Sequence, residues 1–405
     1  MKPIKVTDDI YMLSVNVGDN ALLFEEMWEI PKGVTLNSYI VRGEKTAIID
    51  GVCGWDGIPE NLYKLLDELQ VKPEDIDYLI VNHMEPDHSG WIESFKQITQ
   101  DFKIYCSSKA ADLLKVFYGQ SENIQVVKTG DELDLGNGKV LKFTMVPGVH
   151  WPDTMMTFET STKTLFPCDM FGSFGQIKEH HFDDEMTDAD YDYFFDEEIR
   201  YFSNVLAGFP KPVQKAISVA KTLEPAIIAP GHGPVYRQNA NKIIERYEDI
   251  SNYREGKPLK EITLLWGSMY GMTEKAVKYA EELLEKSGIP YHVLRCPYAP
   301  VGDVLAKAYR SAGLLIAAPT YENKMFPSMA AMIDELGRKK ITPKKVAFMG
   351  SYGWAGGAKK EMDEILAAYK LDWEIVHSHE FNGSPNEEDL AQIEAAVSAL
   401  IAAIQ

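Results

Sequence analysis

Four residues of metal-ligand type lie close together early in the chain: His83, Glu85, Asp87 and His88. Two imidazoles and two carboxylates suit divalent metals of borderline to hard character, such as iron, manganese or zinc. The apolar stretch Tyr78–Val81 before them predicts a strand, and short side chains in the turn after a strand can converge on one point. A polar loop with hydrogen-bonded histidines is the alternative, but the Asp-His pair that follows His-x-Glu favours a metal site.

Three further residues of ligand type, His150, Asp169 and His232, each follow a predicted strand. Each alone is a weak signal, because a histidine beside glycine or proline often marks only a turn. Together with the first four, they provide four histidines, two aspartates and one glutamate. This set is large enough for two metals that share a bridging carboxylate.

The elements that must position these residues differ between two parts of the chain. The first part has many strands interspersed with helices, which predicts an α+β sandwich with helices outside two packed sheets. After a polar seam at residues 251–258, short apolar strands alternate regularly with helices, which predicts a doubly wound parallel α/β sheet of the flavodoxin type. We therefore predict two domains, residues 1–255 and residues 256–405.

Three loops of the second domain combine small, hydroxyl and aromatic residues. Backbone N–H groups at a helix N-terminus can bind a phosphate, and aromatic faces can flank a flat ring. The first loop has no lysine and the G-x-G-x-x-G pattern is absent, which argues against a P-loop, FAD or NAD site. A capped strand–helix turn is the alternative for the first loop alone. The candidate residues are Ser268, Met269, Tyr270, Gly271, Met272 and Thr273; Pro319, Thr320, Tyr321 and Asn323; and Ser351, Tyr352, Gly353, Trp354, Gly356 and Gly357.

The charge balance and the cysteines limit the class of protein. The 405 residues include 61 acidic and 41 basic side chains, a formal net charge of −20, which argues against a nucleic-acid partner. The apolar runs are too short to span a membrane, and the N-terminus shows no signal-peptide pattern. The four cysteines form no C-x-x-C pair. We therefore expect a soluble, cytoplasmic protein with neither a membrane nor a nucleic-acid partner.

The ligand order, H-x-E-x-D-H followed by His, Asp and His, resembles the metallo-β-lactamase fold, whose zinc hydrolases usually have a second histidine where this chain has Glu85. That substitution and the second domain are similar to the flavodiiron proteins (A-type flavoproteins), whose αββα domain holds two non-haem irons. The resemblance covers essentially the whole chain and implies FMN in the three loops. It implies these ligand sets: His83, Glu85 and His150 for one iron; Asp87, His88 and His232 for the other; Asp169 as the bridge; and Tyr201 beside the centre.

The resemblance also implies an oxidoreductase in which electrons enter at FMN and pass to the diiron centre. The overall pattern looks most like the methanogen branch, which oxidises reduced coenzyme F420 and reduces dioxygen to water. A rubredoxin-dependent reductase of nitric oxide, or of oxygen, is the alternative. The family arrangement implies a head-to-tail homodimer or a dimer of dimers, and the lack of C-x-x-C predicts no fused rubredoxin.

Two other classes of function stay open at this point. A zinc-dependent hydrolase of the same fold would activate water, but Glu85 and the flavin loops argue against it. A non-catalytic electron carrier with a structural metal would leave the bridging Asp169 without a role.

Two further features have simpler interpretations. Cys168 beside the bridge is expected to be a buried, inert thiol. The acidic segment 179–198 is expected to be a solvated surface, with a lid or substrate contact as the alternative.

Overall fold

The computed structural model describes residues 2–18, 23–52 and 59–405. The chain divides into two compact units. The N-terminal unit contains Met1–Glu26, Ile30–Tyr201 and Phe209–Glu248, and the C-terminal unit contains Met27–Glu29, Phe202–Gly208 and Asp249–Gln405. The exact domain bounds of the sequence analysis, 1–255 and 256–405, stay a prediction. Among the described residues, no helix combines the length and apolar character needed to cross a membrane.

The part of the chain before residue 253 contains most of the strands. In chain order they are β1 (Ile4–Lys5), β2 (Ile10–Val17), β3 (Leu23–Phe24), β4 (Trp28–Glu29), β5 (Val34–Arg42), β6 (Thr46–Ile49), β7 (Tyr78–Val81), β8 (Lys103–Cys106), β9 (Ile124–Val126), β10 (Glu132–Asp134), β11 (Val140–Met145), β12 (Met155–Glu159), β13 (Thr164–Phe166) and β14 (Ile227–Ile228). The helices are α1 (Glu60–Glu68), α2 (Pro86–Ser89), α3 (Ile92–Ile98), α4 (Ser108–Tyr118), α5 (Asp188–Tyr201), α6 (Pro210–Leu223) and α7 (Ala240–Asn252), with a 3-10 turn at Pro73–Asp75 and a π-helical turn at Phe202–Leu206.

The N-terminal unit is a sandwich of two sheets. The first sheet has the order β1-β2-β5-β6-β7-β8-β9, and the second has the order β10-β11-β12-β13-β14. Alternate residues of the strands point inward, so Ile10 and Met12 of β2 enter the same core as Leu141 and Phe143 of β11. The predicted pair of packed sheets is confirmed.

The C-terminal unit is a five-stranded sheet with all strands parallel. After residue 258 its strands and helices are, in chain order, β15 (Leu259–Trp266), α8 (Met272–Ser287), β16 (Tyr291–Arg295), α9 (Val301–Arg310), β17 (Ser311–Ala317), β18 (Thr320–Tyr321), β19 (Lys324–Met325), α10 (Pro327–Arg338), β20 (Lys344–Tyr352), α11 (Ala358–Tyr369), β21 (Trp373–Asn382) and α12 (Glu387–Ile404).

The sheet of the C-terminal unit has the order β16-β15-β17-β20-β21. Helices α8 and α12 pack together on one face, where Ala276, Leu284, Ile393 and Leu400 join the core under β15 and β17. Helix α10 packs against both α9 and α11, and because crossovers between parallel strands are generally right-handed, these three helices are expected on the other face. The predicted flavodoxin-like fold is confirmed.

The acidic segment 179–198 is a correction to the sequence analysis. Asp184 and Glu185 are exposed as expected, but the later part forms α5 and buries Glu197 and Glu198. The Glu198 carboxylate accepts a hydrogen bond from the Tyr236 hydroxyl at 2.7 Å and pairs with the Arg246 guanidinium at 2.6 Å. Charge counting missed this because a buried acid needs a partner that is distant in sequence.

Phe143 tests the sandwich core. The ring is completely buried between the sheets, so Phe143→Ala should lower the free energy of unfolding of the N-terminal unit by about 3–5 kcal/mol. Phe117→Ala is the control, because that ring is 43% exposed on α4 and should cost about 1 kcal/mol or less. Urea unfolding, monitored by tryptophan fluorescence, measures the free energy of unfolding of both variants. Equal losses in the two variants would contradict the assigned core.

Candidate functional site

The first group of predicted metal ligands lies at the end of β7. The strand stops at Val81, and the chain turns into the short helix α2, with Glu85 as the residue before its first turn. His83 precedes this helix, whereas Asp87 and His88 lie within it. The change from strand to helix turns all four side chains toward one region of the N-terminal unit.

The other three predicted ligands come from loops after other strands. His150 lies between β11 and β12, Asp169 follows β13, and His232 follows β14. Within the described residues, ligand atoms lie within 4.8 Å of one another in three groups, one of which, His88, Cys168 and Asp169, shares its histidine and its aspartate with the other two. The other two are His83, Glu85, His150 and Asp169, and Asp87, His88 and His232. We call these the first and second ligand groups.

Asp169 lies between the two groups and presents one oxygen to each. Its Oδ2 lies 3.4 Å from His83 Nε2 and 3.6 Å from His150 Nε2. Its Oδ1 lies 3.0 Å from His88 Nε2 and 3.3 Å from His232 Nε2. A carboxylate divided in this way has the geometry of a bridge between two metal positions.

Each group is also completed by a second carboxylate. Glu85 Oε2 lies 2.8 Å from His150 Nε2 and 3.3 Å from His83 Nε2. Asp87 Oδ2 lies 3.4 Å from His232 Nε2 and 3.6 Å from His88 Nε2. Imidazole nitrogens and carboxylate oxygens therefore alternate around each position.

Burial and mutual charge shift the pKa values of these groups strongly. Burial lowers the pKa of His83, but the carboxylates of Asp153, Asp169 and Glu85 outweigh it and raise the pKa well above its usual range. The same balance, with Asp169 and Asp87 as the acids, raises the pKa of His232 to about 10. Conversely, burial raises the pKa of Asp169, but the nearby imidazoles bring it well below its usual range.

The imidazoles of His83 and His232 have hydrogen-bond partners that the sequence analysis missed, including the Thr154 hydroxyl 3.4 Å from His83 Nδ1. Asp153 Oδ2 lies 3.3 Å from His83 Nδ1, and the backbone carbonyl oxygen of Thr35 lies 3.2 Å from His232 Nδ1. Asp153 follows His150 in a Trp-Pro-Asp turn, so a carboxylate beside a ligand loop was a signal that could have found it. The carbonyl of Thr35 has no signal in the sequence.

A wall of aromatic rings covers the second ligand group. The ring of Tyr201 lies 5.6 Å from that of His232, and the rings of Phe24 and Phe174 contact them in turn. The Tyr201 hydroxyl is buried and makes no hydrogen bond with any described residue. Burial and the charge of Asp169 raise the pKa of Tyr201 well above its usual range, so it is a neutral phenol.

Close packing limits the residues beside the centre. A Cβ atom at Gly231 would lie 2.8 Å from Cε1 of His88, so only glycine leaves this imidazole in place. Cys168 is buried, and burial raises the pKa of its thiol well above its usual range. A neutral thiol is a weak metal ligand.

The three predicted flavin loops lie at the carboxyl ends of β15, β17 and β20, neighbouring strands of one parallel sheet. Ser268 Oγ accepts a hydrogen bond from the N–H of Gly271 at 3.0 Å, which closes the first loop ahead of α8. The hydroxyls of Thr273 and Ser351 lie 2.8 Å apart and link the first loop to the third. Gly271 has a φ of +85°, a conformation that favours glycine.

One cavity joins residues of all three loops. Its lining contains nine predicted residues, Ser268, Met269, Tyr270, Met272, Pro319, Thr320, Ser351, Tyr352 and Gly353, and one that the sequence analysis missed, Gly383. The predicted residues outside this lining are Gly271, Thr273, Tyr321, Asn323, Trp354, Gly356 and Gly357. The rings of Tyr270 and Trp354 are 87% and 85% exposed.

The residues present fit both groups that the sequence resemblance implies. Buried Asp169 Oδ2 accepts no hydrogen bond from the described residues, and three buried carboxylates with four imidazoles form a donor set for two divalent cations. In the C-terminal unit, the N–H groups that begin α8 suit a phosphate. The exposed aromatic rings suit a flat ring system.

Known proteins resemble this chain over both units. The family model described as ODP family beta lactamase matches residues 34–233. The chain is 34% identical over 337 residues to the anaerobic nitric oxide reductase flavorubredoxin of Vibrio vulnificus, a match that covers 82% of this chain and 66% of that protein. It is 29% identical over 392 residues to the nitric oxide reductase of Moorella thermoacetica, covering 96% of each.

A solved structure and the lengths of the relatives complete the comparison. A flavo di-iron protein from Thermotoga maritima has a TM-score of 0.88 at 28% identity, covering 100% of this chain and 98% of that one. The aligned part spans 65% of the flavorubredoxin of Aliivibrio salmonicida and 69% of that of Shigella dysenteriae. The similarity therefore extends over both units but leaves about a third of the flavorubredoxins unmatched.

Asp169→Asn tests the bridge. An amide keeps the shape of the side chain but removes the charge that both positions share, so bound metal should fall from two ions per chain to one or fewer. FMN content should stay unchanged, because its loops are in the other unit. Metal analysis measures the first quantity and released FMN the second, with Glu159→Gln, a buried acid at the last residue of β12, as control. Full metal content in Asp169→Asn would contradict the bridge.

Metal binding should release protons. The raised pKa values of His83 and His232 mean that both imidazoles are protonated in the metal-free protein at pH 7, and a metal must displace those protons. Metal affinity should therefore rise with pH up to about 10, the pKa of His232. A pH indicator in weak buffer should report protons when Zn²⁺ is added, whereas Mg²⁺, which prefers oxygen ligands, should release few. Equal release would contradict the assignment.

Gly271→Asp tests the phosphate site at α8. A carboxylate there would face a phosphate a few ångströms away, which costs about 3 kcal/mol or roughly a hundredfold in FMN affinity. Gly271→Ala is the matched control, because it carries the same backbone strain without the charge. Fluorescence titration of the flavin-free proteins measures both, and similar affinities for the two variants would place the phosphate elsewhere.

Proposed function

The chain belongs to the flavodiiron (A-type flavoprotein) family, and from that premise we propose that this oxidoreductase reduces nitric oxide to nitrous oxide. In the balanced reaction, two nitric oxide molecules, two electrons and two protons give one nitrous oxide and one water. We propose that the electrons enter at FMN in the C-terminal unit and reach two non-haem irons in the N-terminal unit.

The division of Asp169 between the two ligand groups carries this proposal. Its oxygens lie 3.4 Å from His83 Nε2 on one side and 3.0 Å from His88 Nε2 on the other. Hydrolases use either one metal or two, whereas joining two nitrogen atoms needs two substrate molecules side by side, which a bridged pair of metals can hold. When bound, the two irons supply neighbouring redox-active centres for that pair.

The protein's own residues have distinct roles in this proposal. Asp169 holds the two positions at a constant separation, and Glu85 and Asp87 add negative charge that favours the higher oxidation state of iron. Tyr201 lies against His232 as a buried neutral phenol with an uncommitted hydroxyl among the described residues. We propose that it donates a hydrogen bond to a substrate oxygen.

The choice of nitric oxide rests on the relatives. The Vibrio vulnificus and Moorella thermoacetica proteins are both named as nitric oxide reductases, and the second matches this chain over both units. The zinc hydrolase expected as an alternative would not need the C-terminal unit. A rubredoxin-type protein is the proposed electron donor, because a relative that is 34% identical to this chain is named a flavorubredoxin.

The activity that the sequence resemblance favours first, oxidation of reduced coenzyme F420 with reduction of dioxygen to water, is the second candidate. Its support is the overall sequence pattern, and no described residue is assigned to F420.

We further propose a cytoplasmic location and a head-to-tail homodimer or dimer of dimers, so that FMN of one subunit passes electrons to the irons of the next. Light scattering would test the assembly, and a monomeric mass would reject it.

Turnover with two donors and two acceptors tests the function. Protein loaded with iron and FMN should reduce nitric oxide with reduced rubredoxin faster than it reduces dioxygen with reduced F420. Gas analysis measures the nitrous oxide formed, and an oxygen electrode measures the dioxygen consumed. Asp169→Asn should lose activity with either acceptor, because both need the metal pair. Faster oxygen reduction with reduced F420 would replace the first candidate by the second.

A further inference from the structure

The imidazole of His83 is held at both of its ring nitrogens. Nε2 faces the metal position, 3.4 Å from Asp169 Oδ2, and Nδ1 lies 3.3 Å from Asp153 Oδ2. A carboxylate can only accept a hydrogen bond, so Nδ1 carries a proton toward Asp153, and the Thr154 hydroxyl lies 3.4 Å from the same nitrogen. Nε2 is then free to offer its lone pair to a metal.

Asp153 is itself firmly held. It is completely buried, and its Oδ2 also accepts a hydrogen bond from the backbone N–H of Met84 at 2.8 Å. The hydroxyl of Ser107 donates to its carbonyl oxygen at 2.7 Å. Met84 lies between two predicted ligands, so one carboxylate oxygen holds both the ligand loop and the ring orientation of His83.

The second ligand group is built differently at the equivalent place. The Nδ1 atom of His232 lies 3.2 Å from the backbone carbonyl oxygen of Thr35, which is a neutral acceptor. Hydrogen bonds to a charged acceptor are about twice as strong as those between neutral groups. A carboxylate partner also makes the imidazole a more basic ligand. The hydrogen bond at Nδ1 of His83 is therefore stronger than the one at Nδ1 of His232.

We propose that Asp153 is a positioning residue for His83 and that it makes the first ligand group the tighter of the two metal positions. The inference rests on the proposed function only in requiring that the seven ligands hold two metals. It needs no particular substrate or electron donor. It assigns a role to a residue outside the ligand set, through a contact between residues 70 positions apart in sequence.

A metal titration without turnover tests the inference. Metal-free protein titrated with Co²⁺ should bind two ions, and visible absorption follows each step. Asp153→Asn keeps an oxygen for the N–H of Met84 but removes the charge. The higher of the two Co²⁺ affinities should fall by about 10- to 100-fold, the range for such outer partners, while the lower should stay unchanged, and a selective loss of the lower affinity would contradict the inference.

A matched variant separates this role from general loss of structure. Glu159→Gln makes the same acid-to-amide change in a buried side chain that accepts the N–H groups of Ser161 and Thr162. It should leave both Co²⁺ affinities unchanged. Two unchanged affinities in Asp153→Asn, or equal weakening of both, would overturn the inference. Fewer than two Co²⁺ in the unaltered protein would instead reject the proposed two-metal centre.

A measurement on the unaltered protein keeps the inference testable if Asp153→Asn does not fold. In Zn²⁺-loaded protein labelled with nitrogen-15, the ring N–H protons of the histidines are observed directly. The Nδ1–H proton of His83 should lie further downfield than that of His232, because its acceptor is charged. The reverse order, or a His83 ring protonated at Nε2, would overturn the inference.

Discussion

The N-terminal unit depends on one electrostatic constraint: three carboxylates and four imidazoles share a volume from which water is almost excluded. Isolated buried carboxylates are very costly, and only compensating positive charge makes this arrangement stable. Without metal, protonated imidazoles provide that charge, as the raised pKa values of His83 and His232 show. Divalent cations provide the same compensation when they replace the protons.

This constraint explains why the site lies at the ends of two packed sheets. His83 follows a strand of the first sheet, whereas Asp169 and His232 follow strands of the second. The centre can form only when the two sheets pack through their common core. The cavity of the C-terminal unit needs only one sheet, because its three loops all follow strands of one parallel sheet at the same edge.

Much of the fold and of the site could be predicted because its signals are local. The predicted strands Tyr78–Val81 and Met155–Glu159 agree with the structure at both ends, since their apolar runs stop at turns. The seven predicted ligands come together for the same reason. The predictions for Glu197 and Glu198 were wrong, because the partners that allow an acid to be buried are distant in sequence. Residues of the three predicted loops line one cavity, but the composition of the loops could not tell which of their residues do so.

The sequence by itself determined the types and order of the chemical groups: the ligand residues, the strands that precede them, and the alternation of strands and helices in the second unit. Only the tertiary structure decided which oxygen of Asp169 faces which ligand group, that Asp153 supports His83, and that a backbone carbonyl of Thr35 supports His232 across 197 positions. The physical reason is that hydrogen-bond partners are selected by distance and direction in the folded chain. Every residue has a backbone carbonyl, so its use as an acceptor leaves no trace in the order of side chains.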